Sequence, residues 1–166
     1  IAALPNGMSF NPLMTLYLTD DLSPQIILEA CQSKHVKAVK FYPQGATTNS
    51  DQGINKFDKV MPTLEAMAEL GFPLLVHGEV TDQTIDIFDR EAVFLERVLG
   101  PLMQHLPELR VVLENITSKD AVEFVTGHPN MGATITAHHL MYERNDMLAG
   151  GTVSYTHLRA HETRIH

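Results

Sequence analysis

Residues 36–50, VKAVKFYPQGATTNS, decide how the rest of the chain is read. Their first half, 36–42, is a short run of β-branched, aromatic and apolar residues that fits a buried strand. Pro43 and Gly45 stop it, and a small, polar segment follows. Alternation puts Lys40 on the same face as Ala38 and Tyr42, near the carboxyl end of the strand. An amine there is either a surface lysine at a strand exit or a desolvated group with a chemical task. Its neighbours decide between the two.

Working outward, 10–19 (FNPLMTLYLT) is a near-continuous apolar run and reads as a buried strand. Ser23-Pro24 is a helix start, after which Ile26, Ile27, Ala30 and Cys31 recur at helical spacing. Phe57, Val60, Met61, Leu64 and Met67 form a second helical stripe stopped by Gly71, with Pro62 marking a kink or a late start. Residues 72–77 are a third strand. Phe88, Ala92, Leu95, Leu99, Leu102 and Leu106 then predict a long helix, which Gly100-Pro101 interrupts, leaving one helix or two. A fourth strand spans 109–115, Thr117 or Ser118 caps a short helix carrying Val122 and Val125, and a fifth strand spans 133–136. His138 and His139 follow at its exit.

Strand and helix alternate throughout, and the strands read as apolar on both faces, the pattern of a parallel sheet covered by helices. An open doubly wound sheet and a (β/α)₈ TIM barrel both fit. No glycine-rich phosphate loop follows any strand, which weakens the dinucleotide-binding version. Five strands cannot close an eight-stranded barrel. The expected architecture is therefore α/β, a partial (β/α)₈ barrel of roughly five consecutive βα units in a domain spanning 1–151. The chain opens on Ile1 without an initiator methionine, as expected of a fragment. After Gly151 the period is lost, and 152–166, with His157, His161 and His166, reads as a non-native tail rather than a metal-binding one.

Composition bounds the function. Hydrophobic residues at 44% and charged residues at 19% indicate a globular chain. A formal net charge of −8 with no basic block argues against nucleic acid and acidic membrane surfaces. A single cysteine, Cys31, forms no internal disulfide and suits a reducing cytoplasm. No apolar run reaches membrane-spanning length.

In parallel α/β folds chemistry collects where strands end. Lys40, His77 and Asn115 each close an apolar strand, which points to a shared site. Glu79 is placed to accept from His77, or else is a solvated loop carboxylate. His138 and His139 are adjacent, so in a strand at most one faces the barrel mouth. Asp82, Asp86 and Asp89 read as helix-start and solvated carboxylates. A buried strand-end lysine has two chemical uses: a Schiff base with a carbonyl substrate, trappable with borohydride, or a carbamate that bridges metal ions. Both need a lowered lysine pKa, which burial supplies. A non-catalytic barrel is the third possibility.

The blocks NPLMTLYLTD, VKFYPQGATTNSDQG, PLLVHGEVTD, DIFDREAVFLE and ATITAHHLMYERNDMLAGG resemble those of the bacterial dihydroorotases, in the amidohydrolase superfamily, over about 10–151. The resemblance implies interconversion of dihydroorotate and N-carbamoyl-aspartate in pyrimidine biosynthesis, with a pair of Zn²⁺ ions as cofactor. It implies that Lys40 is the carboxylated, bridging lysine, that His77 is a ligand of the second metal, and that Thr47 and Thr48 lie on a loop closing over substrate. Where the family reads Glu-His-Ile-Thr, this chain reads Glu114-Asn115-Ile116-Thr117, so Asn115 stands at a metal-ligand position as a poor ligand. The family's first-strand His-x-His pair and last-strand aspartate have no counterpart here. The chain alone is accordingly expected to be inactive. The resemblance further implies a homodimer for the full-length parent, and a non-catalytic, scaffolding homologue is the alternative.

Overall fold

The computed structural model describes residues 5, 7–46, 50, 52–53 and 57–148. Five strands form one sheet in the order β1-β2-β3-β4-β5: β1 Met14–Tyr17, β2 Val36–Phe41, β3 Leu74–His77, β4 Val111–Glu114 and β5 Met131–Ala133. Every neighbouring pair is parallel. Between them run α1 (Pro24–Gln32), α2 (Met61–Leu70), α3 (Arg90–Phe94), a π-helical segment (Leu95–Leu99), α4 (Gly100–His105) and α5 (Lys119–Thr126). Two short helices follow β5: α6 (Ala137–Met141) and α7 (Arg144–Leu148). A doubly wound sheet reverses its strand order at a switch point. This one never reverses, so each crossover steps the same way, as in part of a (β/α)₈ barrel.

Unreversed crossovers that obey the right-handed rule of βαβ units send the helices to one face, and burial follows. Val39, Phe41, Leu74, Val76, Val111 and Leu113 are all buried, packed with Ile27, Leu64, Met67, Phe94 and Leu99 from the helices. The alternate residues Lys40, Leu75, His77, Val112 and Glu114 are only half-buried. Apolar residues do stand on both faces, with Ala38 buried and Leu75 and Val112 half-buried on the second, but that second face is not fully covered. One face is core, and the other is a half-open surface on which the polar strand-end groups stand.

The third and fourth strands are shorter than the expected 72–77 and 109–115, and two others differ more. The first is only Met14–Tyr17, because β1 is a sheet edge with a single partner; Phe10, Leu13 and Met14 outside or at its start are 64%, 65% and 54% exposed. The fifth is Met131–Ala133 rather than 133–136, since its register is set by Val111–Leu113. Thr134 and Thr136 serve instead as a loop anchor and as the residue before α6.

The helices start and stop as local chemistry dictates. Pro62 sits in the first turn of α2, where its missing N–H costs nothing, so the helix starts late; Gly71 ends it at φ 61°. Gly100-Pro101 does not split the next helix. The chain continues through a π turn in which Gly100 N–H reaches Leu95 C=O, immediately before a residue that has no N–H to donate. A side chain at Gly100 would come within 2.9 Å of that carbonyl.

Candidate functional site

Register brings the strand-end groups together. Tyr17 lies beside Lys40 across β1 and β2, and His77 beside Glu114 across β3 and β4. Lys40, His77 and Glu114 therefore share the half-open face at the carboxyl ends of three adjacent strands. The Lys40 ammonium pairs with the Glu114 carboxylate, and Nζ stands 4.5 Å above the Tyr42 ring. Its side chain is only 12% exposed. Burial pushes the Lys40 amine below the ordinary lysine value, and the hydrogen bond and charge of Glu114 oppose the shift without cancelling it. Tyr42 also meets the His77 ring at 5.7 Å and the Tyr17 ring, edge-on, at 6.0 Å.

His77 Nε2 lies 2.9 Å from Glu79 Oε1. An ionised carboxylate only accepts, so Nε2 carries a proton in this contact, which leaves Nδ1 as the ring nitrogen available to a metal. That is the arrangement in which a carboxylate orients a metal-binding histidine.

Asn115 is presented differently. Its backbone is left-handed, φ 58°, a conformation asparagine tolerates better than most residues. Its N–H donates to Thr134 Oγ1 at 2.9 Å, and the Thr134 hydroxyl lies 3.4 Å from Asn115 Oδ1. The asparagine is exposed and engaged with the β5 exit. Thr47, Thr48 and the tail 152–166 lie outside the described residues. Lys40 and His77 fit a metal site as a desolvated amine and an oriented imidazole. No group of three His, Cys, Asp or Glu side chains gathers for a metal among the described residues, so the fit is to part of a ligand set.

His138 and His139 are on α6, not in a strand, and their rings pack edge to face at 4.3 Å. Rather than joining the Lys40 face, they line a cavity of about 650 Å³ with Glu91, Thr117 and Ser118. Asp82 and Asp86 accept hydrogen bonds from Thr84 and Phe88 two residues on, closing turns in the loop before α3.

Glu114 is the site group that sequence reading passed over. The signal for it was parity: one residue before Asn115, it continues the alternation that carries Val112 onto the open face.

No protein-family model matches the chain. Curated relatives do. The chain is 60% identical over 152 residues to a dihydroorotase of Ruegeria sp. (strain TM1040) and 60% identical over 152 residues to that of Photobacterium profundum. Each match covers 91% of this chain, which spans 44% of the relative's length. Among solved structures, dihydroorotase from Campylobacter jejuni superposes with a TM-score of 0.76 at 39% identity, over 84% of this chain and 40% of that one. Dihydroorotase from Saccharomyces cerevisiae in complex with 5-fluoroorotic acid superposes with a TM-score of 0.73 at 36% identity, over 83% of this chain and 42% of that one.

Proposed function

We propose, from the premise that this chain is a homologue of the dihydroorotases over 91% of its length, that it supplies one side of the active site of a zinc-dependent cyclic amidohydrolase. The reaction is the reversible opening of the dihydroorotate ring to N-carbamoyl-aspartate, a step of pyrimidine biosynthesis, in a cytoplasmic enzyme that acts as a homodimer. The single observation that carries this is Lys40: a desolvated amine on the open face of the sheet, on the strand next to an imidazole that Glu79 orients.

Each residue has a task. Lys40, its amine neutral more readily than an exposed lysine's, gives up its ammonium proton to solvent, adds through the free amine to carbon dioxide with loss of a second proton to solvent, and so turns from a cation into an anionic carbamate, an oxygen donor. Glu114, which holds the ammonium form, must release it for that to happen. His77 offers Nδ1, and Glu79 keeps the ring from turning. Zn²⁺, when held by these groups, supplies Lewis acidity toward the ring carbonyl and activates water. Tyr42 walls the site, and Thr47 and Thr48 bond the substrate ring and exclude water.

A second reading, a non-catalytic dihydroorotase-like partner protein, is favoured by the engagement of Asn115 with Thr134. The two separate on zinc content and turnover of the full-length protein, with Asn115 kept and with Asn115→His. Two zinc ions and turnover in the asparagine form support the enzyme. Zinc and activity gained only with histidine support the partner protein. The 166-residue chain alone is expected to show no turnover above a metal-free blank.

A further inference from the structure

Glu91 stands in the first turn of α3, away from Lys40 and His77, yet it is among the most heavily bonded side chains described. Its carboxylate accepts from Ser118 N–H at 2.8 Å, Thr117 N–H at 3.2 Å and the Ser118 hydroxyl at 2.5 Å. The Ser118 hydroxyl in turn accepts from Ala121 N–H at 3.2 Å and caps α5. Bonds to an ionised acceptor are roughly twice as strong as neutral ones, so this is a firm tie between α3 and the segment leaving β4. The start of α3 is also tied to the loop leaving β3: Val80 N–H donates to Arg90 C=O, and Arg90 Nε to Ile85 C=O, both at 3.3 Å. A bonded path therefore runs from His77 through Glu79 and Val80 to Arg90 and Glu91, then across to Thr117 and Ser118.

The β4 ladder ends at Glu114. Beyond it, Asn115 and Ile116 are held to Thr134 on one side, while Thr117 and Ser118 are held by Glu91 on the other. We infer that Glu91 is a positioning residue: it clamps the exit of β3 to the exit of β4, and so fixes how His77 and Glu79 stand relative to Glu114 and Asn115. It touches none of them. The inference rests on the metal site proposed above.

The test uses the full-length protein, with Zn²⁺ affinity measured by chelator competition and amide hydrogen exchange followed on the same samples. Glu91→Ala removes the clamp, and Glu91→Gln keeps an acceptor of the same reach; Glu91→Asp replaces the alanine variant if that does not fold. The expected result is a loss of zinc affinity of about 10- to 100-fold for alanine, the range seen when groups behind metal ligands are removed. Faster exchange should appear at Thr117 and Ser118 while the β3 and β4 amides stay protected, with glutamine between alanine and wild type, since its neutral oxygen accepts the same bonds more weakly. Wild-type zinc affinity in the alanine variant, with those two amides opened, overturns the inference and leaves the metal site standing. A glutamine variant as weak as alanine also overturns it, because charge rather than the clamp would then be responsible. A wild-type protein that takes up no zinc sinks the metal site and this inference with it.

Discussion

Gly78, the residue after His77, offers a sharp test of how the core holds the site. A methyl group there would lie 2.6 Å from Leu113 Cδ1 and 3.4 Å from Phe94 Cδ1. A contact of 2.6 Å is cheap only where the side chain can swing away. Leu113 is fully buried and Phe94 is 1% exposed, stacked on Phe41 at 6.0 Å, so neither has anywhere to go. Gly78→Ala should therefore carry the usual penalty of overpacking, about 1–3 kcal/mol. In a protein of a few hundred residues each kcal/mol lowers Tm by roughly 2–4 °C, so the expected drop is about 2–12 °C. The assay is calorimetry of the full-length protein with Gly132→Ala as its control, because a methyl group at Gly132 meets nothing within 4 Å. Leu113→Ala should lose about 2–5 kcal/mol alone by leaving a cavity. The double variant should lose less than the sum, since the new methyl group enters that space. An unchanged Tm for Gly78→Ala, or strict additivity with Leu113→Ala, would refute the packing argument.

Further expectations concern Lys40 and the core. Lys40→Met strands the Glu114 carboxylate and should destabilise by about 1–3 kcal/mol, whereas Lys40→Met with Glu114→Leu should recover most of the loss; denaturant titration of all three forms decides it. Burial lowers the Lys40 pKa in the folded state, so between that value and the unfolded lysine value the unfolded chain binds more protons. Stability relative to Lys40→Met should then rise as pH climbs toward the unfolded value, in metal-free buffer purged of carbon dioxide, and a flat difference would count against it. Phe94→Ala should cost about 3–5 kcal/mol, and a loss below 1 kcal/mol in urea titration would mean that the α3 contact with the sheet is not tight.

Much of this was legible from residues alone. The βα alternation, the stop of α2 at Gly71 and the placing of Lys40 and His77 on one face of neighbouring strands all follow from local chemistry and strand period, and of the two readings of Pro62, a kink or a late start, the second holds. Other features depend on partners that a single segment does not reveal. The run at 10–19 is apolar enough for a long strand, but ladder length is set by neighbours, and β1 has one. The sequence 133–136 looks like a strand, yet the β4 register ends the ladder at Ala133 and frees Thr134 to hold Asn115 and Ile116. Periodicity left one helix or two at Gly100-Pro101; the reach of Gly100 N–H to Leu95 C=O, which carries the chain through, makes that choice. Nor does any local rule announce that Glu91 bonds residues 26 and 27 positions away.

The one-sided burial of the sheet has a consequence for how such a chain can change over time. Residues of one parity along β2, β3 and β4 answer to packing, and residues of the other parity answer to whatever stands on the open face. A saturation library of the full-length protein, scored separately for abundance and for the proposed activity, should therefore separate with a period of two, with abundance falling most at Val39, Val76 and Leu113 and activity falling further than abundance at Lys40 and His77. New chemistry can be tried at every second position while the fold is inherited through the positions between.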